Sequence, residues 1–269
     1  MSHVPVLLQE VIKAFQPASG KKFIDATANG GGHTRQLAEA GSDVLAIELD
    51  VQLAENLKHQ MPNVKVVNDS YVNIVAIAKA HGFMNCDGVL FDLGFSSWQM
   101  EESGKGFSFQ RDEPLDMRYS NQGETAAEIL NTRSEDEIAR ILKEYGEERF
   151  DGRIARAIVE ARPLATTYDL VHAIERVVRR TGKIHPATRT FQALRIAVNY
   201  ELENVEKGIK EALKITNRVV VISFHSLEDR IVKKLGGSKP VRATWEEIKN
   251  NRRARSAKLR VVERTTPAT

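Results

Sequence analysis

A chain of 269 residues, 42% hydrophobic and 28% charged, has the composition of a water-soluble globular protein large enough for one substantial domain and an elaboration. No apolar run nears the roughly 18 residues of a membrane helix, and the start Met-Ser-His-Val-Pro lacks a basic stretch followed by an apolar one, so a cytoplasmic location is expected. The net charge of +3 does not by itself argue for nucleic acid, and the single Cys86 excludes an intramolecular disulfide and a multi-cysteine metal site; no bound metal is expected.

The chain opens on a short extended segment leading into an amphipathic helix. Strands are then expected near 22–26, 43–48, 64–68 and 87–92, separated by helices near 33–40, 51–59 and 71–81. Alternation of this kind predicts a mostly parallel sheet with helices on both faces, whose ligands bind beyond the C-terminal strand ends. Those ends carry Asp25, Glu48, Asp69 with Ser70 and Tyr71, and Asp92. After Asp92 the strand period stops. From Thr125 to about Arg180 the pattern is helical, with a capping box at Ser134, and His185 to Leu202 reads as one long helix followed by another at 203–215. The apolar run Arg218-Val-Val-Val-Ile-Ser-Phe224 returns to the sheet. A Gly-Gly-Ser-Lys-Pro link, a short helix near Thr244–Lys249 and a last strand, Ala257–Glu263, placed antiparallel at the sheet edge, complete the chain. The expected division is 1–104 for the first part of the core, 105–200 for a helical insertion that recognises substrate, and 201–269 for the second part of the core with a basic tail.

Between the first strand and the helix after it stand Gly30, Gly31 and Gly32. Glycines reach backbone angles closed to other residues and carry no Cβ, so a ligand can lie against the main chain. The next strand ends in Glu48-Leu-Asp50, where a carboxylate can take a ribose hydroxyl. The loop lacks both the G-x-G-x-x-G of dinucleotide folds and the G-K-[ST] of a P-loop. What fits is a nucleoside cofactor without a pyrophosphate, of which S-adenosylmethionine is the commonest. Two basic clusters, Arg176, Arg179, Arg180, Lys183, Arg189 and Arg195, and then Arg252, Arg253, Arg255, Lys258 and Arg260, suit either a polyanionic substrate or ordinary solvated faces.

Eight motifs in order carry a resemblance: His3-x-Pro-Val-Leu-Leu-x-Glu-Val11, Asp25-x-Thr-x-x-x-Gly-Gly-His33, Asp87-Gly-x-Leu-x-Asp-Leu-Gly-x-Ser-Ser-x-Gln99, Gly106-Phe-Ser-Phe-x-x-Asp-Glu-Pro-Leu-Asp-Met-Arg118, Tyr145-Gly-Glu-Glu148, Thr190-Phe-Gln-Ala-Leu-Arg-Ile-x-Val-Asn199, Ser223-Phe-His-Ser-Leu-Glu-Asp-Arg230 and Arg255-Ser-Ala-Lys-Leu-Arg260. Together they resemble the bacterial 16S ribosomal RNA cytosine-N4 methyltransferases, the RsmH or MraW family. The resemblance implies an α/β, Rossmann-like S-adenosylmethionine-dependent methyltransferase fold, a mostly parallel seven-stranded sheet with an inserted all-helical domain. It also implies methylation of the N4 amine of a cytidine in the decoding region of 16S rRNA, within the small ribosomal subunit, by a monomer or a homodimer. By motif, Gly31, Gly32 and His33 would meet the methionine end of the cofactor, Glu48 the ribose, Tyr71 the adenine, and Asp92 and Gln99 the remaining edge. The family usually has aspartate at Glu48, phenylalanine at Tyr71 and a Gly-x-Gly-Gly-His pattern where Ala28-Asn29-Gly30 stands.

Cytosine N4 is a weak nucleophile because its lone pair is delocalised, so the enzyme must align it and accept its proton. Asp92 is the candidate acceptor; a role in cofactor binding alone fits the same position. His33, at a helix N-terminus, suits a neutral hydrogen-bonding role. Phe107 and Phe109 are candidate stacking platforms for a splayed base or plain core residues, His225 a candidate for the target base or a structural cap, and Arg118, Arg189 and Arg195 candidates for phosphate contact. Methylation of DNA cytosine, or a non-catalytic RNA-binding or assembly role, are the competing readings.

Overall fold

The computed structural model describes residues 5–94, 100, 102–179 and 184–264. In chain order its elements are α1 (Leu8–Phe15), β1 (Lys22–Asp25), α2 (Gly32–Glu39), β2 (Asp43–Glu48), α3 (Val51–Gln60), β3 (Lys65–Asn68), a 3-10 turn at Tyr71–Asn73, α4 (Ile74–His81), β4 (Gly88–Asp92), α5 (Ala126–Thr132), α6 (Glu135–Gly146), α7 (Asp151–Glu160), α8 (Thr167–Glu175), α9 (Ala187–Asn199), α10 (Glu201–Ala212), β5 (Arg218–Ser223), α11 (Ser226–Lys234), β6 (Val241–Arg242), α12 (Trp245–Asn250), a 3-10 turn at Arg252–Arg255 and β7 (Lys258–Glu263). They form two units, residues 1–96 with 202–269, and residues 97–201.

The first unit is built on a seven-stranded sheet ordered β3-β2-β1-β4-β5-β7-β6. Strands β1 to β5 pair in parallel, and β7 runs antiparallel against β5. Successive side chains of a strand point to opposite faces, so the near-continuous apolar runs of β2, β4 and β5 mean that both faces are covered. On one face Ile24, Leu45, Ile47, Val89, Phe91, Val219 and Val221 meet Ile74 and Ile77 of α4 and Val205 and Ile209 of α10. On the other, Phe23, Val44, Leu90, Val220 and Ile222 meet Val11 and Phe15 of α1 and Leu37 of α2. Each such side chain, fully buried, contributes on the order of 1.5–3 kcal/mol.

Two elements of this unit differ from the sequence expectation. The last strand is not at the edge: β6, two exposed residues long, pairs beyond it, too short to show a period. Helix α11 follows β5 directly, and Asp229 on it clasps β7 by taking Arg260 Nε and Lys258 Nζ, each at 2.7 Å. Its N-cap is His225, whose Nδ1 faces the Glu228 amide at 3.5 Å while Glu228 accepts from His225 N. A histidine cap lacks the Ser/Thr/Asp/Asn signal that marks a helix start.

The second unit packs α5 to α9 around Leu130, Ile138, Leu142, Ile154, Ile158, Leu170, Phe191 and Leu194, with Leu115 and Met117 from the irregular segment before α5. Capping boxes at Thr125, Ser134 and Thr166 start α5, α6 and α8. The helix expected to run from His185 to Leu202 breaks at Tyr200, which is left-handed with φ 49°. Just before it, the Asn199 amide donates to Met117 O and accepts from Tyr119 N, tying the helix end to the irregular segment. Gly146 lets α6 and α9 approach closely, since a Cβ there would stand 2.7 Å from Arg189 O.

Replacing Ser134 by Ala should lower the unfolding free energy by about 1 kcal/mol through loss of the cap. Gly146→Ala should cost more, because its clash is with backbone. Chemical denaturation of both variants checks the order; an equal or reversed order contradicts the packing described.

Candidate cofactor and active site

Strand order turns back on itself between β1 and β4, and in open parallel sheets this is where ligands bind, beyond the C-terminal ends. Here β1 ends at Asp25, β2 at Glu48 and β4 at Asp92, all three buried. The chain leaving β1 stays between its neighbours: Ala26 N donates to Leu90 O and Ala28 N to Ile47 O. Thr27 Oγ1 accepts from Asp92 N at 2.6 Å, Thr34 Oγ1 donates to Asp25 Oδ2 at 2.6 Å, and Gly94 has no Cβ because Phe224 fills that space.

The three carboxyls share one environment with unequal support. Asp25 is pushed up to about 6 by burial, against the hydrogen bonds from Thr34 and Thr27. Glu48 receives Asn29 N on Oε2 at 2.8 Å and Asp50 N on Oε1 at 2.9 Å, yet burial still carries it to about 7. Asp92 rises furthest, to about 8, through burial first and then the like charge of Asp25; Arg253 opposes the rise and Glu228 adds to it. Its Oδ2 lies 3.5 Å from His33 Nδ1, while its Oδ1 is buried with no hydrogen-bond partner among the described residues. An orphaned buried oxygen of this kind costs about 1–3 kcal/mol and marks a place built for another group.

His33, in the first turn of α2, has Nε2 3.0 Å from Val6 O. A carbonyl only accepts, so Nε2 carries the ring proton and in the neutral ring Nδ1 presents a lone pair to Asp92. Gly31 and Gly32 serve close packing on their Cα sides: with φ +75°, Gly31 would bring a Cβ to 2.6 Å from both Leu57 and Met61, and Gly32 one to 3.1 Å from Pro5. Tyr71 is half-buried, edge-on to Phe91 at 5.4 Å, and sits over Gly208. Gln99 lies outside the described residues.

Most of the residues assigned to substrate belong to the second unit. In the second unit, Phe107 is 7% exposed and stacks on Tyr119 at 5.4 Å, and Phe109 packs on His185 and Phe191. Arg118 grips both oxygens of Asp116, and Arg195 both oxygens of Glu201. Both guanidinium forks are thereby taken up inside their own unit. Arg189 donates to Glu147 O at 3.1 Å. In the first unit His225 is the α11 cap already described; its Nε2 lies 3.1 Å from Glu228 Oε1 but off the line a hydrogen bond needs. The side chain that sequence reasoning undervalued is Asn29. Its Nδ2 lies 3.0 Å from Thr27 O, 3.3 Å from Asp92 O and 3.2 Å from Gly94 O.

Comparison with known proteins adds three observations. The family model described as the MraW methylase family matches residues 1–236. Proteins named ribosomal RNA small subunit methyltransferase H from Deinococcus deserti and Thermosipho melanesiensis are each 45% identical, over 97% of this chain and 93% and 97% of their own. A solved structure of a TehB-like SAM-dependent methyltransferase from Corynebacterium glutamicum aligns over 96% of this chain and 87% of its own, at 12% identity and a TM-score of 0.37.

An acid with a raised folded pKa holds its proton more tightly folded than unfolded. Its stabilisation is full below about pH 4 and is lost as pH rises through the folded value. With Asp25, Glu48 and Asp92 at about 6, 7 and 8, the ligand-free thermal midpoint should fall between about pH 5 and pH 8. Asp92→Asn should raise the midpoint above pH 8 and remove the last part of the fall. A midpoint that is flat across this window, or a variant curve parallel to the parent, contradicts the assignment.

Proposed function

We propose, for a chain that belongs to the MraW methylase family, that it is an S-adenosylmethionine-dependent methyltransferase acting on small-subunit ribosomal RNA, and that the accepting group is the N4 amine of a cytidine in 16S rRNA. The single observation that carries the chemistry is the buried Oδ1 of Asp92 at the switch point of the sheet, without a hydrogen-bond partner among the described residues. Assembled small subunits are the substrate form we infer. Among the described residues no helix is long and apolar enough to cross a membrane.

The residues at the strand ends fit the cofactor. Glu48, with each oxygen already steered by one backbone N–H, keeps lone pairs for the ribose hydroxyls; Tyr71 offers a ring for the adenine; Gly31, Gly32, His33 and Asp92 border the remaining edge. When bound, S-adenosylmethionine supplies a methyl group activated by its sulfonium. The protein's part is alignment and proton acceptance. As the N4–methyl bond forms and the sulfonium–methyl bond breaks to leave a neutral thioether, the amine, made acidic, releases one proton to Asp92 Oδ1. Only the ionised carboxylate can do so, and a cation brought to this edge favours that form against burial. Thr27 Oγ1 holds the Asp92 amide, which fixes the backbone of the acceptor while the reaction passes. Of the substrate-side candidates, Arg189 and the exposed tail arginines Arg252 and Arg255 are the ones we assign to phosphate.

Methyl label should pass from the cofactor to assembled small subunits in preference to naked DNA. Asp92→Asn should slow transfer by about a hundredfold or more while the variant keeps its fold by circular dichroism. In the parent the rate should rise with pH and level off at or below about 8, and the residual rate of the variant should lose that rise. A variant that transfers at the parental rate removes Asp92 as acceptor; label found only on DNA overturns the substrate.

A further inference from the structure

Asn29 is left-handed, with φ 49°. Glycine reaches that region freely and asparagine at small cost, so the backbone alone does not require this side chain. What asparagine adds is an amide at 9% exposure, aimed at three carbonyls. One, Thr27 O, belongs to its own loop; the other two, Asp92 O and Gly94 O, belong to the end of β4. Its backbone N–H meanwhile donates to Glu48 Oε2 at 2.8 Å. The main chain of Asn29 thus serves the end of β2, and its side chain serves the end of β4.

Among the described residues the end of β4 has other anchors besides its pairing with β5. Asp92 N is held by Thr27 Oγ1 and Leu93 N by Ile222 O, while Gly94 sits under the Phe224 ring with no room for a Cβ. Remove the amide and the carbonyls of Asp92 and Gly94 lose the donor that joins them to the cofactor loop. The carboxyl that must meet the reacting amine is carried on this stretch.

We propose that Asn29 is a positioning residue for methyl transfer: its side-chain amide locks the β4 end to the cofactor loop and so sets where the Asp92 carboxyl stands. This rests on the reading of Asp92 as proton acceptor. The division of labour makes it separable from a general role in loop stability. Any substitution at 29 other than proline keeps the N–H that steers Glu48, whereas only a side-chain donor keeps the clasp on β4.

The test compares Asn29→Gly, which keeps the left-handed backbone and loses the amide, with Asn29→Asp, which keeps the shape and turns an oxygen toward three carbonyl oxygens. Asn29→Gly should lower kcat about tenfold or more with cofactor affinity by calorimetry unchanged, and should speed amide hydrogen exchange at Asp92–Gly94. Asn29→Asp should be slower still. Unchanged kcat overturns the proposal, as does a kcat that falls together with cofactor affinity and thermal midpoint, the pattern of a merely structural loop residue. Should the parent chain transfer no methyl group to any RNA, the functional reading fails by itself. The exchange rates at Asp92–Gly94 then decide: if the glycine variant matches the parent, the clasp has no hold on β4.

Discussion

Three carboxyls kept out of water at the ends of adjacent parallel strands are the constraint on which the first unit turns. Asp25, Glu48 and Asp92 are close enough for the charge on one to raise the next, and burial raises all three. A group so placed must be met by donors or lose its charge. The chain supplies donors unequally. Asp25 has Thr34 and Thr27, Glu48 has two backbone amides, and Asp92 is left with one oxygen unmet among the described residues. That gradient orders three acids on neighbouring strands by how fully the fold meets their oxygens.

The second unit shows a different economy, with many of its polar groups met close to home and Thr190 Oγ1 left unmet among the described residues. Capping boxes begin three of its helices, Asp116 and Glu201 hold Arg118 and Arg195, and Asn199 ties the end of α9 to the segment before α5. Motif residues in it are explained first by the unit's own geometry: Phe107 as core, Gly146 as the close contact of α6 with α9. A motif match therefore marks what the fold needs as well as what the reaction needs.

Much of the first unit was legible because both-face burial writes long apolar runs: β2, β4 and β5 stand out in Val44–Ile47, Val89–Phe91 and Val219–Ile222. Glu48 and Asp92 were legible for the same reason, as the first polar residues after the β2 and β4 runs. What stayed hidden lacks such a signal. β6 is two exposed residues, α11 starts on a histidine, and the break at Tyr200 depends on Asn199 reaching Met117, a contact distant in sequence. Asn29 looked like a defect in a glycine loop, since no local pattern reveals that its amide meets carbonyls 63 and 65 residues away. Arg118 and Arg195 stand among the phosphate candidates because charge is visible in a sequence and its pairing with Asp116 and Glu201 is not.

The place of β5 in the sheet has a consequence for how the chain is made. β5 joins β4 on one side and β7 on the other, yet residues 97–201 separate it from β4, and β7 lies at the far C-terminal end. While the ribosome is still producing residues 97–201, β4 has an open, strongly apolar edge, the kind that invites pairing with another chain. Closing it requires contacts of long sequence separation, which form slowly. Of the interior strands made before residues 97–201, the one that carries Asp92 is therefore the last to be shielded, so a nascent chain stays exposed to misassembly at the edge beside that acid.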